Sequence, residues 1–383
     1  MKIVYYTHPF LLDCDLPLIK EMQKKGHTVM MFISLAPYSL HGSLLNIKRQ
    51  IKEDAIIPAS IYPEMNEYSQ YIKLENIFFI NRTKSSVLTL TYARLILQMC
   101  KMIRRFNPDI VHITYPLDLL EILLLQFRNK MLLVMHDPFP HSGKENLRNT
   151  IARYISIKLI PKIVLLNNTQ KNQFAEYYKI PLKKILINKL GPYNCILNFR
   201  PNLTINNEKI KILFFGLISP YKGLEYLCEA MLKVHNVCPN VELIIAGKGN
   251  IYFDFEPYKN LQYIQLHNRY IDMQELASFL YEASFVICPY KDATQSGVIM
   301  TSFAMERPII ASNVGSLKEQ IENGKTGLLI PPCDSEVLAD AIINLSNNPQ
   351  LIDKMKQNIK ELNTIGYNSW DTISNIYLDF YTR

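Results

Sequence analysis

The sequence contains no apolar run of membrane-spanning length. The nearest, LDLLEILLLQF (117–127), falls short of the ~20 residues that a span needs and carries charges. Its seven cysteines (14, 100, 195, 228, 238, 288 and 333) form no CxxC pair and are odd in number. That pattern argues against a disulfide framework or a zinc ribbon and for reduced thiols packed in a cytoplasmic protein. No secretory leader is expected, because Met1-Lys2 runs directly into the strand-like IVYY. There is no solenoid repeat, no low-complexity tract and no GxGxxG dinucleotide spacing. Basic residues are not interleaved with stacking aromatics, so nucleic acid is not an expected partner.

What is present is a chain of 383 residues, 48% apolar and 20% charged, long enough for two domains. Charge is unevenly spread. Residues 1–200 hold 27 Lys and Arg against 14 Asp and Glu, and residues 201–383 hold 15 against 20. A basic first half fits either a solvated face or something anionic nearby, such as a membrane surface or a phosphorylated acceptor.

Short apolar runs alternate with helical periodicity. KIVYY (2–6), LPLIKEMQKKGH (16–27) and TVMMFIS (28–34) read as strand, helix, strand. Further strands are predicted at 109–115, 131–137 and 162–168. An Asn- and Pro-rich break at 190–209 reads as a linker, and the alternation restarts at 211–216, 241–249, 261–266, 284–290, 307–312 and 326–332. Helices are expected at 223–236 and 273–284. Near-continuous apolar strands joined by helices predict parallel sheets covered on both faces, hence two doubly wound α/β domains. Ligands of such sheets bind beyond the carboxyl ends of the strands, so the turns after each strand are the ones to read.

SFVICPY (284–290) runs into Asp292-Ala293-Thr294-Gln295-Ser296-Gly297 and then a helix that stops at Pro308. Thr294 and Ser296 are N-cap residue types, and the N–H groups of Ser296, Gly297 and Val298 are expected to be free at the helix start, where the dipole favours phosphate. FFGLISPYKGLEYL (214–227) ends a strand at Gly216 and carries Lys222 toward a helix N-terminus, where an ammonium opposes the dipole unless an anion joins it. LIIAGKGN (243–250) adds a strand followed by the Gly247–Gly249 turn. HDPFPHSG (136–143) places His136, Asp137 and His141 after a strand of the first half. Asp13-Cys14-Asp15 imitates a metal-binding DxD, yet acidic residues at the start of a helix are favoured by the dipole alone.

These segments, with HNRYIDMQELASFLYEASFVICPYKDATQSG and RPIIASNVGSLKEQIENGKTGLLIPPCD, resemble the retaining glycosyltransferase family 4, the group 1 enzymes of the GT-B fold. The resemblance covers most of 211–334, and the first ~130 residues match only in general layout. It implies two Rossmann-like domains facing across a cleft: an acceptor-binding domain over 1–195 and a nucleotide-sugar-binding domain over 205–365, with a terminal helix (366–383) packing back onto the first. It also implies a donor site. Lys222 matches the family's diphosphate-gripping Lys, whereas Leu217 occupies the partner Arg position. Ala293 and Thr301 stand where many relatives carry an acidic pair, as in a branch with D/E-A-T-Q-S-G. In that branch Asp292 would take sugar hydroxyls, Gln295, Ser296 and Gly297 the diphosphate, and Thr301 the ribose. Main-chain groups at Asn268, Arg269 and Tyr270 would meet the base. His136 would act at the sugar, with Asp15, Asp137 and His141 on the acceptor side.

The expectation is therefore a metal-independent hexosyltransferase without a cofactor, using a nucleoside-diphosphate sugar as co-substrate and a glycan or lipid-linked acceptor. Its expected setting is surface polysaccharide synthesis of the bacterial type, in the cytoplasm or at the inner face of the membrane. The helices within 94–106 and 153–162 are the expected membrane contacts. Alternatives are a sugar-nucleotide epimerase, which turns over donor without acceptor, and a binding protein with a degenerate site. A phosphorylase would need a lysine context for pyridoxal phosphate that is not seen.

Overall fold

The structure is a computed structural model that describes residues 1–42, 44–139, 147–202 and 209–383. The chain divides into two compact units, Met1–Leu190 with Trp370–Arg383, and Gly191–Ser369.

The first unit contains β1 (Lys2–Thr7), α1 (Leu12–Lys24), β2 (Thr28–Leu35), β3 (Ala55–Pro58), β4 (Ile77–Asn81), α2 (Leu90–Phe106), β5 (Ile110–Ile113), β6 (Met131–Met135), α3 (Leu147–Leu159), β7 (Lys162–Leu165), α4 (Lys171–Tyr177) and β8 (Ile185–Ile187). Its sheet runs β3-β4-β2-β1-β5-β6-β7-β8, parallel throughout except for β3 against β4. Strand interiors such as Ile3–Thr7 and Ile110–Ile113 are buried residue after residue, as helices on both faces require. The edge strands β3 and β8 and the interior β4 were not expected. β3 and β8 are only four and three residues long, too short to stand out as periodic runs.

The second unit contains β9 (Ile210–Phe215), α5 (Leu224–Val237), β10 (Val241–Ala246), β11 (Ile264–His267), α6 (Met273–Glu282), β12 (Phe285–Cys288), α7 (Gly297–Ala304), β13 (Ile309–Ser312), α8 (Leu317–Gln320), β14 (Gly327–Ile330), α9 (Ser335–Ser346) and α10 (Pro349–Thr364). Its sheet, β11-β10-β9-β12-β13-β14, is wholly parallel, and the order reverses between β9 and β12. Such a switch point is where doubly wound sheets open a ligand crevice.

The division comes at Leu190, the first residue of the expected 190–209 linker. The reason is local: Tyr193 N–H donates to the Met300 carbonyl (3.2 Å), which ties the following stretch to α7. At the other end, α11 (Trp370–Thr382) returns to the first unit. Lys25 pairs with Asp371 (2.5 Å), and His112 Nδ1 meets Tyr381 Oη (2.5 Å). Among the described residues no helix is long and apolar enough to cross a membrane.

Candidate functional site

At the switch point of the second unit, the loops after β9 and β12 interlock. Gly223, the αL residue before α5, sits so close to the turn after β12 that a Cβ there would fall 2.0 Å from the Pro289 carbonyl oxygen. Lys291 N–H donates to Tyr221 O (2.8 Å), and Lys291 Nζ pairs with Glu225 (2.7 Å). This interlock fixes Lys222 beneath Tyr290. Lys222 is 7% exposed, and its Nζ donates to Tyr290 Oη at 2.6 Å and lies 4.1 Å from that ring's centroid. Among the described residues it has no carboxylate within ion-pair distance. Burial pulls its pKa down to about 8, opposed in part by the neighbouring Cys288 thiol. Lys222 lies in a 3₁₀ turn (Pro220–Lys222) just ahead of α5 rather than in its first helical turn as expected, because Gly223 reverses the chain between them.

The polar turn converges on the same place. A Cβ at Gly216 would lie 3.9 Å from Lys222 Nζ and 3.6 Å from Val298 Cγ2, so strand end, ammonium and the start of α7 meet at one point. One expectation fails here. The Ser296 N–H is not free: it donates to Gln320 Oε1 (2.9 Å), and Gln320 Nε2 donates back to Ser296 O (3.2 Å). Short α8 delivers that carboxamide. Ser296 holds the N-cap position without a side-chain capping bond. Gly297 and Val298 therefore supply the first-turn amides that have no acceptor within their own helix. Thr301 Oγ1 donates to Gly297 O (2.9 Å), which commits its proton inside the helix. Asp292 is exposed, and Thr294 and Gln295 are part-buried beside it in the same turn.

Gly247 serves the backbone. With φ +157° it lets β10's end approach so closely that a Cβ would lie 1.8 Å from the Gly216 carbonyl oxygen. After β11, the Asn268 carboxamide closes on the Gly249 backbone in both directions (3.1 and 3.0 Å). Arg269 forks onto Glu275 (Nη1 to Oε2, 2.6 Å), and Tyr270 is 42% exposed. The Asn268 and Arg269 side chains thus stiffen the loop, and main-chain groups are what it can offer a base.

In the first unit, His136 and Asp137 follow β6, while His141 lies outside the described residues. A small hollow is lined by His136, Asp15, Thr114, Lys189, Tyr377 and Trp370 among others. Burial holds the His136 imidazole down at about 4, with Asp137 opposing. Asp15 is 2% exposed in the first turn of α1. It accepts from Thr7 Oγ1 (2.5 Å) and Tyr5 Oη (3.0 Å), yet burial raises it to about 7. Its carboxylate is thus engaged by hydroxyls within the protein, and among the described residues no group of three His, Cys, Asp or Glu is placed to hold a metal.

Two residues of the second-unit site went unread in the sequence. Tyr290 was visible as the last aromatic before the polar turn, whereas Gln320 sits 24 positions after Ser296 with no sequence signal linking them.

Residues 209–348 match the family model of the glycosyl transferases group 1. In sequence the chain is 27% identical over 172 residues to the alpha-D-kanosaminyltransferase of Streptomyces kanamyceticus, 43% of this chain and 45% of that protein. The chain spans about half the length of the first curated relatives it matches. In structure it aligns over 100% of its length with 98% of a sucrose-phosphate synthase from Thermosynechococcus elongatus (TM-score 0.69, 16% identity). It aligns equally with the whole of Anabaena HepE, solved in complex with UDP-glucose (TM-score 0.67, 13% identity). Two sheets, parallel except for the β3–β4 pair, with their helices and these likenesses make the fold α/β GT-B.

Proposed function

We propose that this chain is a retaining, metal-independent glycosyltransferase that moves a sugar from a nucleoside-diphosphate donor to a glycan or lipid-linked acceptor. One observation carries the reading: a buried ammonium, Lys222, has among the described residues only a phenol oxygen as its hydrogen-bond acceptor and stands beside the opening amides of α7 at the switch point. Such an arrangement suits the diphosphate that departs in glycosyl transfer, since preorganised donors act where charge develops. The match to glycosyl transferases group 1 over 209–348 and the UDP-glucose complex of a protein of the same fold support it.

In this reading the bond between the anomeric carbon and the β-phosphate oxygen breaks, and the acceptor hydroxyl forms the new glycosidic bond on the same face. Its proton leaves with the diphosphate. Lys222 and the Gly297 and Val298 amides bind the leaving charge. Gln295 lies in the diphosphate turn, Asp292 serves the sugar hydroxyls, and His136 acts on the sugar or acceptor side.

A role in surface polysaccharide synthesis at an anionic membrane is part of the proposal. Leu97 (55% exposed) on α2 and Ile151 and Tyr154 (47% and 46%) on α3 stand out to solvent beside Arg94, Lys101 and Lys158. Unchanged sedimentation with anionic vesicles would remove that part alone.

The experiment is a thermal-shift screen of UDP-, GDP- and ADP-sugars, repeated with Lys222→Ala and in EDTA. One donor class should raise the melting temperature of the parent, chelator should not matter, and the substitution should remove most of the rise. Donor turnover without any acceptor would instead indicate an epimerase. Failure of every donor to bind would defeat the proposal.

A further inference from the structure

A second buried cation, without a carboxylate partner among the described residues, stands in the first unit. Arg82 is the first residue past β4, and its N–H extends the parallel ladder by donating to Leu35 O (2.9 Å). Its side chain is 3% exposed. Nη2 donates to Tyr38 Oη (3.1 Å), Nη1 reaches the Ser85 carbonyl at the long distance of 3.4 Å, and Nε has no partner among the described residues. The guanidinium lies 4.8 Å from the Tyr92 ring centroid, and no carboxylate is within ion-pair distance of it among the described residues. Glu121, which shares Tyr92 as a neighbour, is otherwise engaged. It accepts from the hydroxyls of Tyr92 (2.5 Å) and Tyr6 (2.7 Å) and from the Asp118 amide (2.8 Å).

The strand register places other orphaned polar atoms beside Arg82. Tyr6 pairs with Phe32, and Ser34 with Ile80, and Tyr6, Phe32 and Ile80 belong to one core under α2. Two residues further on along each strand, on that same face, come His8, Ser34 and Arg82. His8 Nδ1, Ser34 Oγ and Arg82 Nε are all buried and lack hydrogen-bond partners among the described residues. Burial, with Arg82 next in effect, holds His8 down at about 4 against the Ser34 backbone and Asp118, so the ring is neutral; with the Ser34 backbone engaging the ring, the unpartnered Nδ1 is left to accept from a protonated oxygen of the anion. Three adjacent strand ends thus present unsatisfied groups at the carboxyl edge, where open α/β sheets take ligands. A buried guanidinium without a counter-ion costs stability and is expected only where something else requires it.

We infer that Arg82, His8 and Ser34 form a receptor for an oxyanion, a phosphate or carboxylate carried by the acceptor substrate. The word acceptor rests on the proposed glycosyl transfer; the anion site itself does not. A guanidinium fork with one edge unused is suited to bidentate capture of either group.

The test titrates inorganic phosphate and, separately, glucuronate into the full chain calorimetrically. The Lys222→Ala background keeps the second unit's cation silent. At least one of the two anions should bind, and adding Arg82→Gln should weaken it at least tenfold. Phosphate alone marks a phosphorylated acceptor, and glucuronate alone an acidic sugar. If neither binds, or if binding ignores Arg82→Gln, the proposal is overturned. A stability arm guards against a merely structural arginine. In anion-free buffer Arg82→Met should melt no lower than its parent, because an uncompensated charge is removed. A marked fall, in a protein whose melting phosphate does not raise, overturns the site. The two readings fail separately. Anion binding at Arg82 without any sugar transfer would sink the transferase and leave the site. Transfer with Arg82→Gln showing unchanged KM for anionic acceptors would do the reverse.

Discussion

Lys222 Nζ donates to Tyr290 Oη at 2.6 Å across the junction of two loops that lie 68 positions apart. A phenol oxygen is a neutral acceptor, so this bond satisfies one of the ammonium's three donors without cancelling its charge. Tyr290→Phe should therefore leave a buried ammonium short of an acceptor, at a cost of about 1–3 kcal/mol. A bound diphosphate should recover most of it. The expected result is a lower melting temperature without nucleotide and a larger nucleotide-induced rise than in the parent. Equal rises in both proteins would disconnect Tyr290 from the site.

The depressed Lys222 also sets a pH dependence. Its ammonium titrates near 8 in the free protein, against 10.5 for an exposed lysine. For a base whose folded pKa is lowered, the cost of burying charge is complete below about 8 and is relieved as pH rises toward 10.5. Donor affinity should follow the opposite course and weaken from about pH 8 upward as the charge is lost. Calorimetric titration of the matching nucleoside diphosphate from pH 6.5 to 9.5 measures this. Lys222→Arg, which stays charged, should abolish the slope.

Gln320 holds Ser296 at both its N–H and its carbonyl, which positions the start of α7. Gln320→Glu keeps an acceptor for the Ser296 N–H and adds a negative charge next to the proposed diphosphate. Donor KM should rise roughly tenfold, the equivalent of about 1.4 kcal/mol, with a smaller effect on kcat. An unchanged KM would place the diphosphate away from this turn.

Asp15 makes a prediction about stability in the first unit. Its folded pKa of about 7 stands above the ordinary 3.8. A raised carboxyl stabilises fully below the ordinary value and loses that contribution as pH climbs through the folded one, so stability should fall between about pH 4 and 7. Asp15→Asn removes the titration. The difference in melting temperature between pH 4.5 and 7.5 should shrink in the variant, and an identical difference would show that Asp15 ionises without penalty.

How far the site could be read in advance depended on distance along the chain. Lys222 was legible because a Lys-Gly pair after an apolar strand lands at a sheet's carboxyl edge, and the Asp292–Gly297 turn was legible for the same reason. The fate of the Ser296 amide was not. It depends on Gln320, one loop later, whose arrival follows from how α8 is set between β13 and β14. Asn268 and Arg269 lie on the loop after β11 that the sequence pointed to, yet their side chains turn to Gly249 and Glu275. Arg82 escaped notice because its strand, IFFIN, was not seen and because a lone basic residue looks like any solvated one.

The order of apolar runs and helical stripes determined two parallel-sheet units and the strand ends at which chemistry would gather, since the periodicities of buried strands and amphipathic helices are local properties. Only the tertiary structure decided which polar groups at those ends are already satisfied. Whether an ammonium, a guanidinium or an amide remains unpaired depends on partners tens of residues distant, and burial makes each missing partner count.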